Sequence, residues 1–260
     1  MNTLSNCKNR VLGSFAVLAL VALQGCATAP TGVLGISSDP IDPFENFNRT
    51  IYTFNDNLDR TVIKPVATVY RDVTPTPVRR GVTNFFSNIT DVWSLVNNAL
   101  QLKPVETTDT LFRVTVNTFW GLGGILDVAG EMNIPKHSED FGQTLGYWGV
   151  SSGPYVVLPL FGPSTVRDSF GTLVDLSGNL VSNAPNVPVR NSLTSLRLVD
   201  TRANFLSAGD VLEQAALDKY TFSREIYLQR RRSMMGREAL EKEERYDLPE
   251  TDPANASPAK

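Results

Sequence analysis

The chain has 260 residues, of which 42% are apolar, 20% charged and 9% aromatic, with a net charge of −3. That composition excludes a disordered tail and a collagen-like fibre, and the acidic balance argues against a nucleic-acid binder, which needs a surplus of Lys and Arg along one face. With one histidine, His137, and two cysteines, Cys7 and Cys26, multi-histidine metal sites and cysteine-rich zinc sites are excluded too.

In chain order, Lys8 and Arg10 precede an apolar run from Val11 to Leu23, closed by Gln24-Gly25-Cys26. The run is shorter than the roughly 20 residues a membrane-crossing helix needs and suits the apolar core of a secretion signal over residues 1–25. Its Leu-x-Gly-Cys ending is similar to a bacterial lipoprotein signal, in which cleavage leaves the cysteine as residue one, carrying lipid. Cys26 is then the lipid attachment site; an ordinary signal with a chance cysteine is the alternative. Each buried methylene contributes about 0.8 kcal/mol, so two or more acyl chains anchor stably. Ala27 stands where aspartate commonly retains such lipoproteins at the inner membrane, and so implies the outer membrane. Residues 26–41, small, polar and broken by Gly and Pro, read as a tether with a reach of roughly 20 Å.

From Asp42 the positions Phe44, Phe47, Ile51, Phe54 and Leu58 predict a helix with one apolar stripe, with Asp42 as cap and Pro43 in the first turn. Pro65 predicts a break before a short helix carrying Val66, Val69 and Tyr70, and residues 74–77 a turn. A long amphipathic helix follows from about Pro77 to Leu102, bearing Val82, Phe85, Phe86, Ile89, Val92, Trp93 and Val96. Thr108 to Trp120 predicts another. Residues 121–163, dense in glycine and proline, fit hairpins or loops better than helices. Helices resume over residues 164–180, 191–206 and from Val211 into a charged stretch reaching Arg245, before a proline-punctuated disordered tail over 247–260. The fold class is therefore mainly α, a bundle of amphipathic helices with a Gly/Pro-rich loop or hairpin region, and residues 42–246 form its one domain.

Chemistry is sparse. There is no nucleotide-binding Gly-x-x-x-x-Gly-Lys-Ser/Thr loop and no Gly-x-Ser-x-Gly elbow. His137, the sole candidate imidazole of a hydrolase, lies in a polar loop and reads as solvated. Glu139 and Asp140 read as surface charge. Arg230, Arg231 and Arg232 could meet lipid headgroups or an acidic partner, although the nearby Glu238, Glu241, Glu243 and Glu244 suit a solvated helix face. No enzyme activity, cofactor or metal is expected.

Several motifs resemble one family. Asp42-Pro43-Phe44-Glu45-Asn46-Phe47-Asn48-Arg49 looks like the opening signature of the MlaA/VacJ outer-membrane lipoproteins, and the likeness continues through Asn117 to Ala129, Glu139 to Val150 and Gly153 to Asp168. It ends at Thr201-Arg202-Ala203 and Tyr227-Leu228-Gln229-Arg230. One departure is Asp218-Lys219-Tyr220, where the family usually has proline in the middle, which leaves the helix start there open.

The resemblance implies a ring of amphipathic helices at the membrane interface with an amphipathic channel through it. Such proteins passively extract mislocalised phospholipids from the outer leaflet and hand them to a soluble periplasmic carrier, maintaining outer-membrane lipid asymmetry. Their partners are phospholipid, the outer membrane, a trimeric porin and the carrier, and the implied location is the periplasmic side of the outer membrane, held by lipid. A protein path is needed because exposing two acyl chains to water would cost on the order of 20 kcal/mol. Gly121, Gly123, Gly124, Asp127 and Gly130 fall in the family's loop beside the channel, or in an ordinary helix-ending turn. The aromatic stripe of Phe44, Phe47, Phe54, Phe85, Phe86 and Trp93 suits either insertion among acyl chains or helix-to-helix packing. Arg230, Arg231 and Arg232 are candidates for carrier contact. The competing readings are a phospholipid hydrolase using His137 and a structural lipoprotein scaffolding porins or envelope layers.

Overall fold

The computed structural model describes residues 39–246; Cys26, the signal, most of the tether and the tail from 247 lie outside them. Helix α1 spans Glu45–Leu58 and continues through a π-helical turn, Asp59–Ile63, into α2, Lys64–Val73. The expected break at Pro65 is therefore absent. Proline has no N–H to donate, and the wider turn, in which the Lys64 N–H bonds the Asp59 carbonyl, lets the helix run past it. Helix α3, Thr76–Leu100, and α4, Pro104–Phe119, each carry proline in the first turn, where an N–H would go unused anyway.

The glycine-rich region is loops and one hairpin, as expected, with two short helices added. It holds two short helices, α5 (Val128–Glu131) and α6 (Phe141–Tyr147), and a single antiparallel hairpin, β1 (Tyr155–Leu158) with β2 (Gly162–Thr165), Tyr155 pairing with Thr165. Asp127 and Asp140 cap the two helices, each accepting a backbone N–H three residues on. Helix α7 covers Val166–Gly178, α8 Val187–Asn204, α9 Leu206–Ala215 and α10 Lys219–Tyr246. The start left open near residue 218 is capped by Asp218, which accepts the Tyr220 N–H at 3.0 Å.

Contacts between elements close on themselves. α1 packs on β1, β2 on α7, α7 on α6, α6 on α3, α3 on α8 and α8 on α2, which returns to α1 through the π turn. This circuit is a ring-like arrangement, with α4 lying along α3 and α10 bridging α6 and β2.

Asn48 and Asn55, two turns apart on α1, fasten the hairpin. Asn48 Nδ2 donates to the Tyr155 carbonyl and its Oδ1 accepts the Val157 N–H, while Asn55 does the same for Leu158 and Leu160. Asp42 is not the expected cap; fully buried, it accepts Asn48 Nδ2 at 2.8 Å, the Tyr220 hydroxyl and Arg224. A small core of Tyr155, Val157 and Tyr220 sits here, with Ile51 and Tyr227 against it.

Elsewhere the burial is inverted. Among the described residues the buried polar and charged side chains outnumber the buried apolar ones, and many large apolar side chains lie exposed. On α4 the inward residues are Thr110, Arg113 and Asn117, and Leu111, Phe112 and Phe119 face out, Phe119 being 76% exposed. On α3 the buried stripe is Asn88, Asp91, Ser94, Asn97 and Asn98, with Val96 and Leu100 outside. Soluble monomers rarely expose apolar surface on this scale, and a polar interior holds only because its groups find each other. Asn98 donates to Thr110, the Thr144 hydroxyl to Asn97, and Gln101 to Thr144. No described helix is long and apolar enough to cross a membrane.

Candidate functional site

The aromatic stripe divides. Phe44, Phe47 and Phe54 are exposed, Phe47 by 54%, while Phe85 and Trp93 are half-buried and Phe86 is buried. Trp93 Nε1 donates to Asp175 at 2.7 Å, which gives this ring a place in the fold. Phe85 and Phe86, in edge-to-face contact, line a cavity.

That cavity, about 490 Å³, runs along the first half of α3 and is walled by Val78, Gly81, Val82, Phe85 and Phe86, with Ile125 opposite and Leu193 and Leu196 of α8 closing the side. Its lining is almost wholly apolar, and its size lies in the ordinary range for ligand pockets. Gly81 allows the approach of the loop, since a Cβ there would stand 3.0 Å from the Ile125 side chain. Two cavities of mixed lining adjoin it. One, about 460 Å³, shares Pro77, Gly81 and Ile125 and adds Arg80, Asn84, Asp127 and Glu131. The other, about 250 Å³, shares Phe86 and adds Thr83, Thr90, Arg197 and Asp200. Together they bring polar side chains up to the apolar slot at two points, near Gly81 and near Phe86.

The loop from Gly121 to Gly130 is held rigidly against this slot. Leu122, Gly123 and Gly124 all have positive φ (55°, 73° and 93°), which turns the chain sharply after α4. At Gly124 a Cβ would fall 2.6 Å from that of Asn88, so only glycine lets the loop meet α3. Asp127 Oδ1 accepts Arg113 at 2.9 Å, Asn117 at 2.9 Å and the Gly130 N–H at 3.1 Å. Burial alone would raise its pKa, but the Asn117 bond and the Arg113 charge outweigh that and hold it below the usual carboxylate range. Asn117 also accepts the Ala129 N–H, and Asn84 donates to the Ile125 carbonyl. The second half of α3 continues the polar side. Asp91, almost fully buried, pairs with Lys136 at 3.1 Å near Arg113, and burial pushes its carboxyl up further than those cations pull it down.

Of the adjacent Arg230, Arg231 and Arg232 on α10, Arg231 faces inward. It bonds Asp140 at 2.6 Å and Asp168 at 2.8 Å, while Arg230 and Arg232 stay exposed. Burial would raise the Asp168 pKa, yet Arg231, Tyr227 and Arg167 hold it at about 2. Glu139 and Asp140 are not the surface charges expected. Glu139 accepts Lys103 and Gln101, and Asp140 caps α6 and binds Arg231, because both border the polar interior. His137 is likewise not freely solvated: its Nε2 lies 3.1 Å from Asp109.

Leu193, Leu196, Arg197 and Asp200 belong to no motif that singles them out in the sequence, though their spacing on α8 places them on one face. No group of three or more metal-ligating side chains occurs among the described residues.

Residues 40–234 match the family model described as MlaA lipoprotein. Proteins named "Intermembrane phospholipid transport system lipoprotein MlaA" from Shigella flexneri and Escherichia coli K12 are each 39% identical over 222 residues, covering 84% of this chain and 86% of theirs. The protein of that name from Haemophilus influenzae is 33% identical, covering 82% of this chain and 86% of its own. A solved structure described as a "structural basis for maintenance of bacterial outer membrane lipid asymmetry" superposes with a TM-score of 0.65 at 36% identity, covering 75% of this chain and 98% of that one.

Proposed function

Since the chain belongs to the MlaA lipoprotein family, we propose that it is a passive conduit for phospholipid, seated in the outer membrane with its apolar faces in lipid. It takes mislocalised phospholipids from the outer leaflet and hands them to a soluble periplasmic carrier, and so maintains lipid asymmetry. Lipid on Cys26 holds it at the periplasmic side. The observation that carries this reading is the apolar slot along α3, joined near Gly81 and near Phe86 by cavities that bring in polar side chains: an acyl chain needs continuous apolar cover and a headgroup needs polar partners. Gly121, Gly123, Gly124, Asp127 and Gly130 fix the loop that forms one wall. Phe44, Phe47 and Phe54 dock the ring among acyl chains. A trimeric porin holds the protein in the membrane, and Arg230 and Arg232 meet the carrier, Arg231 being engaged by Asp140 and Asp168. No residue is assigned to catalysis; His137→Ala should leave transfer unchanged.

The test is lipid transfer from proteoliposomes holding the protein and labelled phospholipid to the soluble carrier. Label reaching the carrier above a protein-free control is expected. No transfer from correctly inserted protein, with porin present, would favour the structural lipoprotein instead.

A further inference from the structure

Arg197 differs from the arginines that carry the ion pairs of the interior. Arg113, Arg167, Arg202, Arg224 and Arg231 each have a carboxylate within 4 Å. Arg197 has one hydrogen bond, from Nη2 to the Thr90 hydroxyl at 3.1 Å. It is half-buried, so its charge has lost water without gaining a counter-ion, and that desolvation pulls its pKa down. A guanidinium offers five donors in a planar fork, and most of this one's are unspent.

Its place explains what could use them. Arg197 lines the 250 Å³ cavity, which meets the apolar slot at Phe86. Leu196, its neighbour in the chain, and Leu193, one turn before, wall the slot itself. A molecule with its tail between Phe86 and Leu193 would thus present its head to Arg197. Asp200, which shares the cavity, is already satisfied by Tyr70, Thr83 and Asn204.

The geometry points to Arg197 as the group that holds the phosphodiester of a phospholipid whose acyl chain lies in the slot between α3 and α8. This rests on the conduit reading and adds to it the chemistry by which a headgroup is held. Arg–phosphate pairs are commonly bidentate and charge-assisted, which gives the lipid a defined resting point in the passage.

The experiment is equilibrium binding, in neutral-detergent micelles, of a phosphatidylethanolamine with a fluorescent acyl chain and of a diacylglycerol with the same chains, to the full-length protein and to Arg197→Gln and Arg197→Lys. Arg197→Gln is expected to weaken phosphatidylethanolamine about tenfold or more and leave diacylglycerol binding unchanged, with Arg197→Lys between the two. Undiminished phosphatidylethanolamine binding by Arg197→Gln, with diacylglycerol still bound, would overturn the headgroup assignment and leave the slot standing. Loss of both lipids by that variant would make Arg197 structural and overturn it as well. If the parent protein bound neither lipid, the conduit reading itself would fall. Glycerophosphoethanolamine or inorganic phosphate competing as well as the intact lipid would mark a free-phosphate site instead.

Discussion

The two halves of α3 are built on one helix and do opposite things. From Asn88 to Leu100 its inward face is polar and cross-linked to its neighbours, Thr118 for Asn88, Lys136 for Asp91, Glu139 for Ser94, Thr144 for Asn97 and Thr110 for Asn98, although the amide oxygens of Asn88 and Asn98 have no protein partner. From Pro77 to Phe86 the same helix faces a cavity. The polar half makes a wall because these bonds tie it to α4, to α6 and to the loop before α6, and breaking one strands a buried partner; the apolar half stays open because an empty apolar slot strands no hydrogen bond. A membrane conduit needs both, a frame that cannot collapse and a lining that asks nothing of its cargo.

Breaking the frame should cost most. Asp168→Ala leaves Arg231 and Arg167 without their shared partner, and removing one member of a buried pair typically costs about 3–5 kcal/mol; denaturant unfolding in detergent would measure it. The same carboxylate sets an acid limit. With a folded pKa of about 2, below the unfolded value of about 3.9, its stabilisation is complete above roughly pH 4 and lost as pH falls towards 2. Acid unfolding of the parent protein should therefore steepen in that window, and Asp168→Asn should flatten it.

Next comes the loop. Gly121→Ala would put a Cβ 2.3 Å from the Leu126 carbonyl oxygen and 2.4 Å from that of Asn117, which we expect to cost about 1–3 kcal/mol and to slow lipid transfer by moving the slot wall. Asn48→Ala strands the Val157 N–H and the Tyr155 carbonyl, a loss of about 1–3 kcal/mol that should loosen the hairpin and leave the slot intact. The smallest effect on stability belongs to the exposed face. Phe47→Ser should change unfolding by less than about 0.5 kcal/mol yet weaken membrane association, measured by flotation with liposomes.

Much of this was legible in the sequence. Periodicity located the helices along α1, α3 and α4, and glycine density located the irregular loop. Which face of each helix turns inward was not legible. A 3.6-residue apolar stripe looks the same whether it meets a protein core or lipid, so Val92, Trp93 and Val96 read as one face with Phe86. The better signal was the run Asn88, Asp91, Asn98 and Gln101, polar residues at helical spacing that bury themselves. Pro65 misled because its missing donor is harmless inside a π turn. Glu139 and Asp140 misled because adjacent acids in a charged loop look solvated until Lys103 and Arg231 arrive from distant parts of the chain. In the candidate passage the glycines were found from the motif, whereas Arg197 and Leu193 were not, since α8 meets α3 only in the folded ring.

The central claim is that phospholipid occupies the slot between α3, the glycine loop and α8. Photolabelling tests it most directly: a phospholipid with a diazirine at mid-chain is incorporated in proteoliposomes with the protein, irradiated, and the labelled peptides are mapped. The account predicts adducts on Val82, Phe85, Ile125, Leu193 and Leu196 in addition to the outward faces. Adducts confined to outward residues such as Phe47, Phe112 and Phe170 would contradict it.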